Sequence, residues 1–311
     1  MRFFRAMFLL ILTNLAVLAV GAVVVFALAY FGIDLAAIVS AGSWQTLAIY
    51  AAIYGFGGAF FSLAISRWIA KKSYGVRLFA GPGIPAGRLS GKEALVADTV
   101  ARLAQAHGIT MPEVGVYDAA EPNAFATGPS ANRALVAVST GLLDRMSPAE
   151  IEGVVAHEMA HVLNGDMLTM TLIQGVMNAF VIVFANLIVW AVRVALSRGE
   201  REGLGMLASH VVYFVLQIAL GVLASVVVMA FSRWREFGAD AGAAKFVGAD
   251  KMIAGLRKLK EIVAKQGEPT ERSAPASMGI SGKQGGLLSL FASHPPLEER
   301  IARLEKNYFI R

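Results

Sequence analysis

Four long apolar runs constrain this chain more than any other feature. The first covers about Ala6–Ile33 without a single charged residue, and the second runs from about Trp44 to Ile65. The third spans Met167–Val192, and the fourth spans Leu204–Ser232, interrupted by His210 and a few neutral polar groups. Each exceeds the ~20 residues that cross a bilayer. The chain has 311 residues, of which only 16% are charged, against about 25% in soluble domains, and the deficit lies in these runs. Arg2 and Arg5 precede the first run as they would in a signal peptide. Its apolar part is far longer than the roughly 7–15 residues of such a segment, so it reads as an uncleaved anchor.

Basic residues orient the spans. Arg2 and Arg5 precede the first, the loop after it carries Asp34 and no Lys or Arg, and Arg67, Lys71, Lys72 and Arg77 follow the second. Both ends of this hairpin, the N-terminus included, therefore face the cytoplasm. Arg193, Arg198 and Arg201 in the loop between spans three and four run against the same rule. With a net charge of +6 and basic residues clustered beside the spans, an anionic lipid surface is the expected partner, and nucleic acid is not. Cysteine is absent, which excludes disulfides and thiolate metal ligands.

Between spans two and three lies His157-Glu158-Met159-Ala160-His161. On a helix the two histidines fall at i and i+4 on one face, able to share a zinc ion, with the glutamate between them in reach of an activated water. The flanks predict that helix. Ser147-Pro148-Ala149-Glu150 is a capping box with proline at the first helical position, and Asn164-Gly165 is a stop. A catalytic zinc takes three protein ligands. The best third candidate is Glu236, immediately after span four. The zinc helix ends just before span three, and two antiparallel spans return the chain to the same side of the membrane. Asp240 lies one turn after Glu236, placed to accept the second N–H of His157 or His161. Asp166 reads as the N-cap of span three.

These residues resemble the HtpX-type membrane zinc metalloproteases, relatives of the CAAX prenyl endoproteases. The resemblance is carried by His157–His161 with Asn164-Gly165-Asp166, and by Ser232-Arg233-Trp234-Arg235-Glu236 with Ala239-Asp240. Pro122-Asn123-Ala124-Phe125-Ala126, Ser139–Leu143 and Ser293-His294-Pro295-Pro296 add to it. It implies an endopeptidase of the bacterial cytoplasmic membrane with its active site facing the cytoplasm. Implied substrates are misfolded or damaged membrane proteins and unfolded polypeptides, handled in quality control under stress. In similar proteases an edge strand near the Pro122–Gly128 loop binds extended peptide through its main chain. Asn123 is then either a contact to substrate or a turn residue, and His294 either a hydrogen-bond donor to the transition state or a helix cap.

The expected architecture is a four-span α-helical membrane protein with an α+β zincin-like (gluzincin-type) catalytic domain. Its parts are an N-terminal hairpin (1–72), a first catalytic segment (73–166), a second hairpin (167–232) and a second catalytic segment (233–311). Gly81–Gly91 reads as a linker, and helices are expected near 92–107, 250–265 and 297–306, with strands at 114–117 and 134–138. Residues 266–286 read as a disordered loop or a lid, and His107 and His210 as structural. His157, His161 and Glu236 are expected to hold one zinc ion, with Glu158 as general base. Two rivals stand beside this reading: a non-enzymatic, zinc-stabilised membrane scaffold and a prenyl-peptide protease.

Overall fold

The structure is a computed structural model that describes residues 30, 44–84, 89, 91–196, 206–265 and 293–308. The expected first span, apart from Tyr30, lies outside the described residues, as do the 266–286 segment and part of the 81–91 linker. The elements are α1 (Trp44–Tyr74), β1 (Arg77–Ala80), α2 (Gly91–Ala106), β2 (Glu113–Tyr117), β3 (Ala124–Thr127), β4 (Leu135–Ser139), α3 (Thr140–Arg145) and α4 (Pro148–Leu163). Then follow α5 (Asp166–Leu196), α6 (Met206–Val247), α7 (Ala249–Lys265) and α8 (Leu297–Tyr308). The chain divides into two compact units, Met1–Ser62 with Met170–Val228, and Leu63–Thr169 with Met229–Arg311.

The first unit holds the apolar parts of α1, α5 and α6. Among the described residues these three helices are long and apolar enough to cross a membrane, with window hydropathies of 1.7, 2.3 and 2.5. Only 22%, 17% and 11% of those windows is buried. A core helix of a soluble protein would hide such residues from its surroundings, so the exposure speaks for lipid. Gly55 and Gly175 bring α1 and α5 together: a Cβ on Gly55 would stand 2.6 Å from the Ala179 amide nitrogen. Asn178 Nδ2 donates to the Gly55 carbonyl at 3.3 Å, so this backbone contact also carries a hydrogen bond.

The second unit is built on a four-stranded sheet of order β1-β2-β4-β3. β2 and β4 are parallel, and the outer pairings are antiparallel. Sequence reading placed 122–128 in a loop, but Ala124–Thr127 pairs with β4 as the edge strand β3. This stretch is too short to show the alternation that marks a strand. One sheet face contributes Val114, Val116, Ala124, Val136 and Val138 to the main core. Ile151, Val154, Val155, Met159 and Val162 of α4 join it, with Val96 and Val100 of α2 and Met252 and Leu256 of α7. Gly153 lets α7 approach α4, because any Cβ there would overlap the Lys251 carbonyl.

The termini of α4 follow its sequence signals. Ser147 caps it with a reciprocal capping box to Glu150, and Pro148 occupies the first turn. Gly165 takes φ +68°, the left-handed conformation that ends the helix and turns the chain into α5.

Candidate metal centre

The i, i+4 spacing places His157 and His161 one above the other on α4, ring centroids 4.6 Å apart. Glu236 meets them from α6. His157 Nε2 and His161 Nε2 are 3.2 Å apart. Glu236 Oε2 stands 3.3 Å from His157 Nε2, and its Oε1 stands 3.1 Å from His161 Nε2. The three residues are 2%, 7% and 0% exposed.

These separations test whether a metal fits. With metal–nitrogen bonds of ~2.0–2.1 Å, a tetrahedral shell has edges of about 3.3–3.4 Å, close to the spacing seen. Glu236 Oε1 is buried and completes no hydrogen bond despite its distance from His161 Nε2. A metal cation between these three groups would give Glu236 Oε1 the partner it lacks. Among the described residues, the group able to hold a metal is His157, His161 and Glu236.

Each donor is held from behind. His157 Nδ1 lies 2.9 Å from Asp240 Oδ1, one of the two partnerships open to Asp240 from its sequence position. His161 Nδ1 lies 2.6 Å from Asp166 Oδ2. Asp166 is the first residue of α5 rather than the cap before it, and its carboxylate also takes Arg235 Nη1 at 3.1 Å. The N-cap reading of Asp166 is therefore corrected: its short side chain turns back to a histidine five residues earlier. His294 Nδ1 lies 2.6 Å from Glu236 Oε2, so the loop before α8 reaches the centre.

Sequence reasoning missed Arg300. This arginine of α8 is completely buried. It donates from Nε and Nη2 to both oxygens of Asp240, at 2.8 and 2.6 Å, and Nη1 stands 3.5 Å from Glu236 Oε2. A signal existed. Leu297, Arg300, Ile301 and Leu304 follow i, i+3, i+4, i+7, so the arginine occupies a core position of an amphipathic helix.

The electrostatics follow from these contacts. Burial pushes the Asp240 carboxyl up, but the Arg300 charge and bonds outweigh it and bring the group down to about 2. Burial likewise opposes ionisation of Glu236, yet the charge of His294 and the three imidazoles gathered around the carboxylate hold it well below the usual carboxylate range. His157 is pushed down by burial and lifted further by Asp240 and Glu236, reaching about 9.

Glu158 is buried beside these ligands, and its charge is felt by Arg300 and by the Tyr117 hydroxyl. Asn123 is buried at the head of β3 and is no part of the metal-ligand group. His107 is structural as expected: its Nδ1 lies 2.9 Å from the Leu103 carbonyl and its ring packs edge-on against Phe246. His210 lies on α6, outside the ligand group.

Residues 90–308 match peptidase family M48. The Protease HtpX of Shewanella oneidensis is 49% identical over 303 residues, covering 97% of this chain and 99% of that protein. That of Shewanella frigidimarina is 47% identical over 305 residues, covering 97% and 100%. Among solved structures, the fold is similar to that of S. mikatae Ste24p, with a TM-score of 0.61, 18% identity and coverage of 95% of this chain and 66% of that one. With a family match over most of its length and relatives this similar from end to end, the chain belongs to peptidase family M48 as an HtpX-type, multi-pass membrane metalloprotease that hydrolyses peptide bonds.

Proposed function

We propose that this protein is a zinc endopeptidase of the bacterial cytoplasmic membrane. In this reading it has four spans and a zincin-like α+β domain on the cytoplasmic side, and it cleaves misfolded or damaged membrane proteins and other unfolded polypeptides. The observation that carries the reading is the convergence of His157 Nε2, His161 Nε2 and the Glu236 carboxylate at 3.1, 3.2 and 3.3 Å. Two imidazoles and one carboxylate are a ligand set of catalytic zinc. When bound there, zinc supplies Lewis acidity, polarising a carbonyl and making water acidic enough to attack near neutral pH.

The chain's own groups do the rest. Glu158 takes the proton of the attacking water and returns it to the leaving amine. His294, held against Glu236 at 2.6 Å, donates a hydrogen bond where the oxyanion forms. The outer edge of β3 pairs with an extended substrate, and Asn123 holds the substrate main chain at the head of that strand. Asp240 and Asp166 fix the tautomers of His157 and His161. A three-residue ligand group with His294 bonded to Glu236 favours an open, catalytic centre over a closed, structural one.

The test is proteolysis of an unfolded, unprenylated model protein by the detergent-purified full chain, with metal content measured alongside. Glu158→Gln is expected to keep zinc and lose about 10²–10⁴-fold in kcat, and Glu236→Ala to lose zinc. Equal cleavage by Glu158→Gln, or none by the zinc-loaded wild type, would refute the mechanism. Cleavage confined to prenylated peptides would point to the prenyl-peptide protease instead.

A further inference from the structure

The sheet face turned away from α4 carries a second, smaller core. Tyr117, Leu135, Ala137 and Phe125 form it with Ala70. Tyr117 pairs with Ser139 across β2 and β4. Ala124 pairs with Val138, which puts Asn123 opposite Ser139, and the Ser139 amide donates to the Asn123 carbonyl at 2.9 Å. Tyr117, Ser139 and Asn123 are thus a polar row across three strands.

Ser139 is fully occupied. Its hydroxyl donates to the Glu121 carbonyl at 2.7 Å and accepts the amides of Asn123 and Leu142, each at 3.0 Å. The two ends of the row differ from it. The Asn123 amide nitrogen faces the Tyr117 hydroxyl oxygen, while Asn123 Oδ1 is buried and completes no hydrogen bond. Packing against Tyr74 and Phe125, with ring centroids at 5.3 and 5.6 Å, explains the Tyr117 ring but not its oxygen. A phenylalanine would pack as well without a buried polar atom to satisfy. Burial also pushes this hydroxyl above its ordinary range, so it stays neutral.

We propose that Tyr117 is a positioning residue for substrate binding: its hydroxyl oxygen takes the Asn123 NH₂, which leaves Oδ1 to accept an N–H from the main chain of a peptide lying along β3. An amide is symmetric in shape but not in chemistry. Without the hydroxyl, Asn123 can flip and offer a donor where the substrate N–H needs an acceptor. This rests on the reading of Asn123 as a substrate contact.

The experiment compares wild type, Tyr117→Phe, Asn123→Ala and the double variant as full-length, metal-loaded protein in detergent, on one unfolded polypeptide. Thermal unfolding and metal content are recorded for each. Tyr117→Phe is expected to raise KM several-fold with kcat nearly unchanged, while its Tm does not fall and its metal stays bound. The double variant is expected to be no worse than Asn123→Ala alone. A wild-type KM for Tyr117→Phe, a penalty that adds in full to that of Asn123→Ala, or a fall in Tm would overturn the positioning role. A wild-type KM for Asn123→Ala would instead remove the substrate reading beneath it.

Discussion

Replacing Arg300 with methionine separates what this arginine does for the fold from what it does for the metal. The side chain is completely buried and gives two charge-assisted bonds to Asp240, at 2.8 and 2.6 Å. Removing it strands a carboxylate that is itself 2% exposed. Breaking one side of a buried ion pair costs about 3–5 kcal/mol, mostly through the charge left behind. Asp240 is also the partner of His157 Nδ1, at 2.9 Å, and disturbing such a support weakens metal binding by about 10–100-fold, or roughly 1.4–2.7 kcal/mol. The two effects respond differently to a second change. Adding Asp240→Asn removes the stranded charge, so Arg300→Met/Asp240→Asn is expected to recover much of the lost stability. It is not expected to recover the metal, because His157 still lacks its carboxylate. Thermal unfolding in detergent reads the first quantity and chelator competition the second. The reasoning fails if the double variant is no more stable than Arg300→Met, or if either variant holds metal like wild type.

Three further outcomes are expected. Asp166→Ala removes the partner of His161 Nδ1 and should weaken metal retention by about 10-fold or more, read by the same competition, whereas an N-cap alone would leave it unchanged. Gly153→Ala, whose Cβ would overlap the Lys251 carbonyl, should destabilise the protein by about 1–3 kcal/mol. Gly255→Ala at the same helix pair meets its nearest atom at 3.2 Å and should cost less, and comparing the two Tm values checks the packing. In metal-stripped protein, His157 is lifted from 6.5 to about 9. Its contribution to stability is therefore complete below about pH 6.5 and lost as pH rises through about 9. Metal needs the neutral imidazole, so metal affinity should rise over the same window. Tm and affinity measured from pH 6 to 10 test both signs.

What could be read in the sequence follows the range of the interactions. The α4 termini were legible because a capping box and a C-terminal glycine act within one turn. Glu236 was legible because two apolar runs, each long enough to span a membrane, separate it from the zinc helix, and a chain that crosses and returns ends on the side it left. Asp166 was misread because a first-turn carboxylate satisfies a local rule, whereas its use here is set by how α4 turns into α5. Arg300 was overlooked because an arginine in a charged helix normally faces water; only the burial of Asp240 and Glu236 makes a core position suitable for it. β3 was missed because four residues on an edge carry too little pattern. The 42-residue length of α6 also escaped notice: a change from apolar to charged composition at Arg233 resembles a boundary, yet nothing there breaks the helical hydrogen bonds.

The order of these groups along the chain has a consequence for biosynthesis. Translation delivers His157 and His161 first, Glu236 and Asp240 later, and Arg300 later still. A growing chain therefore owns its two imidazoles well before it owns the groups that complete and support the centre. The protease is expected to stay inert, and to acquire its metal only once Glu236 and the groups after it have been made. Ribosome-bound chains truncated before residue 236 should accordingly retain far less metal than the finished protein.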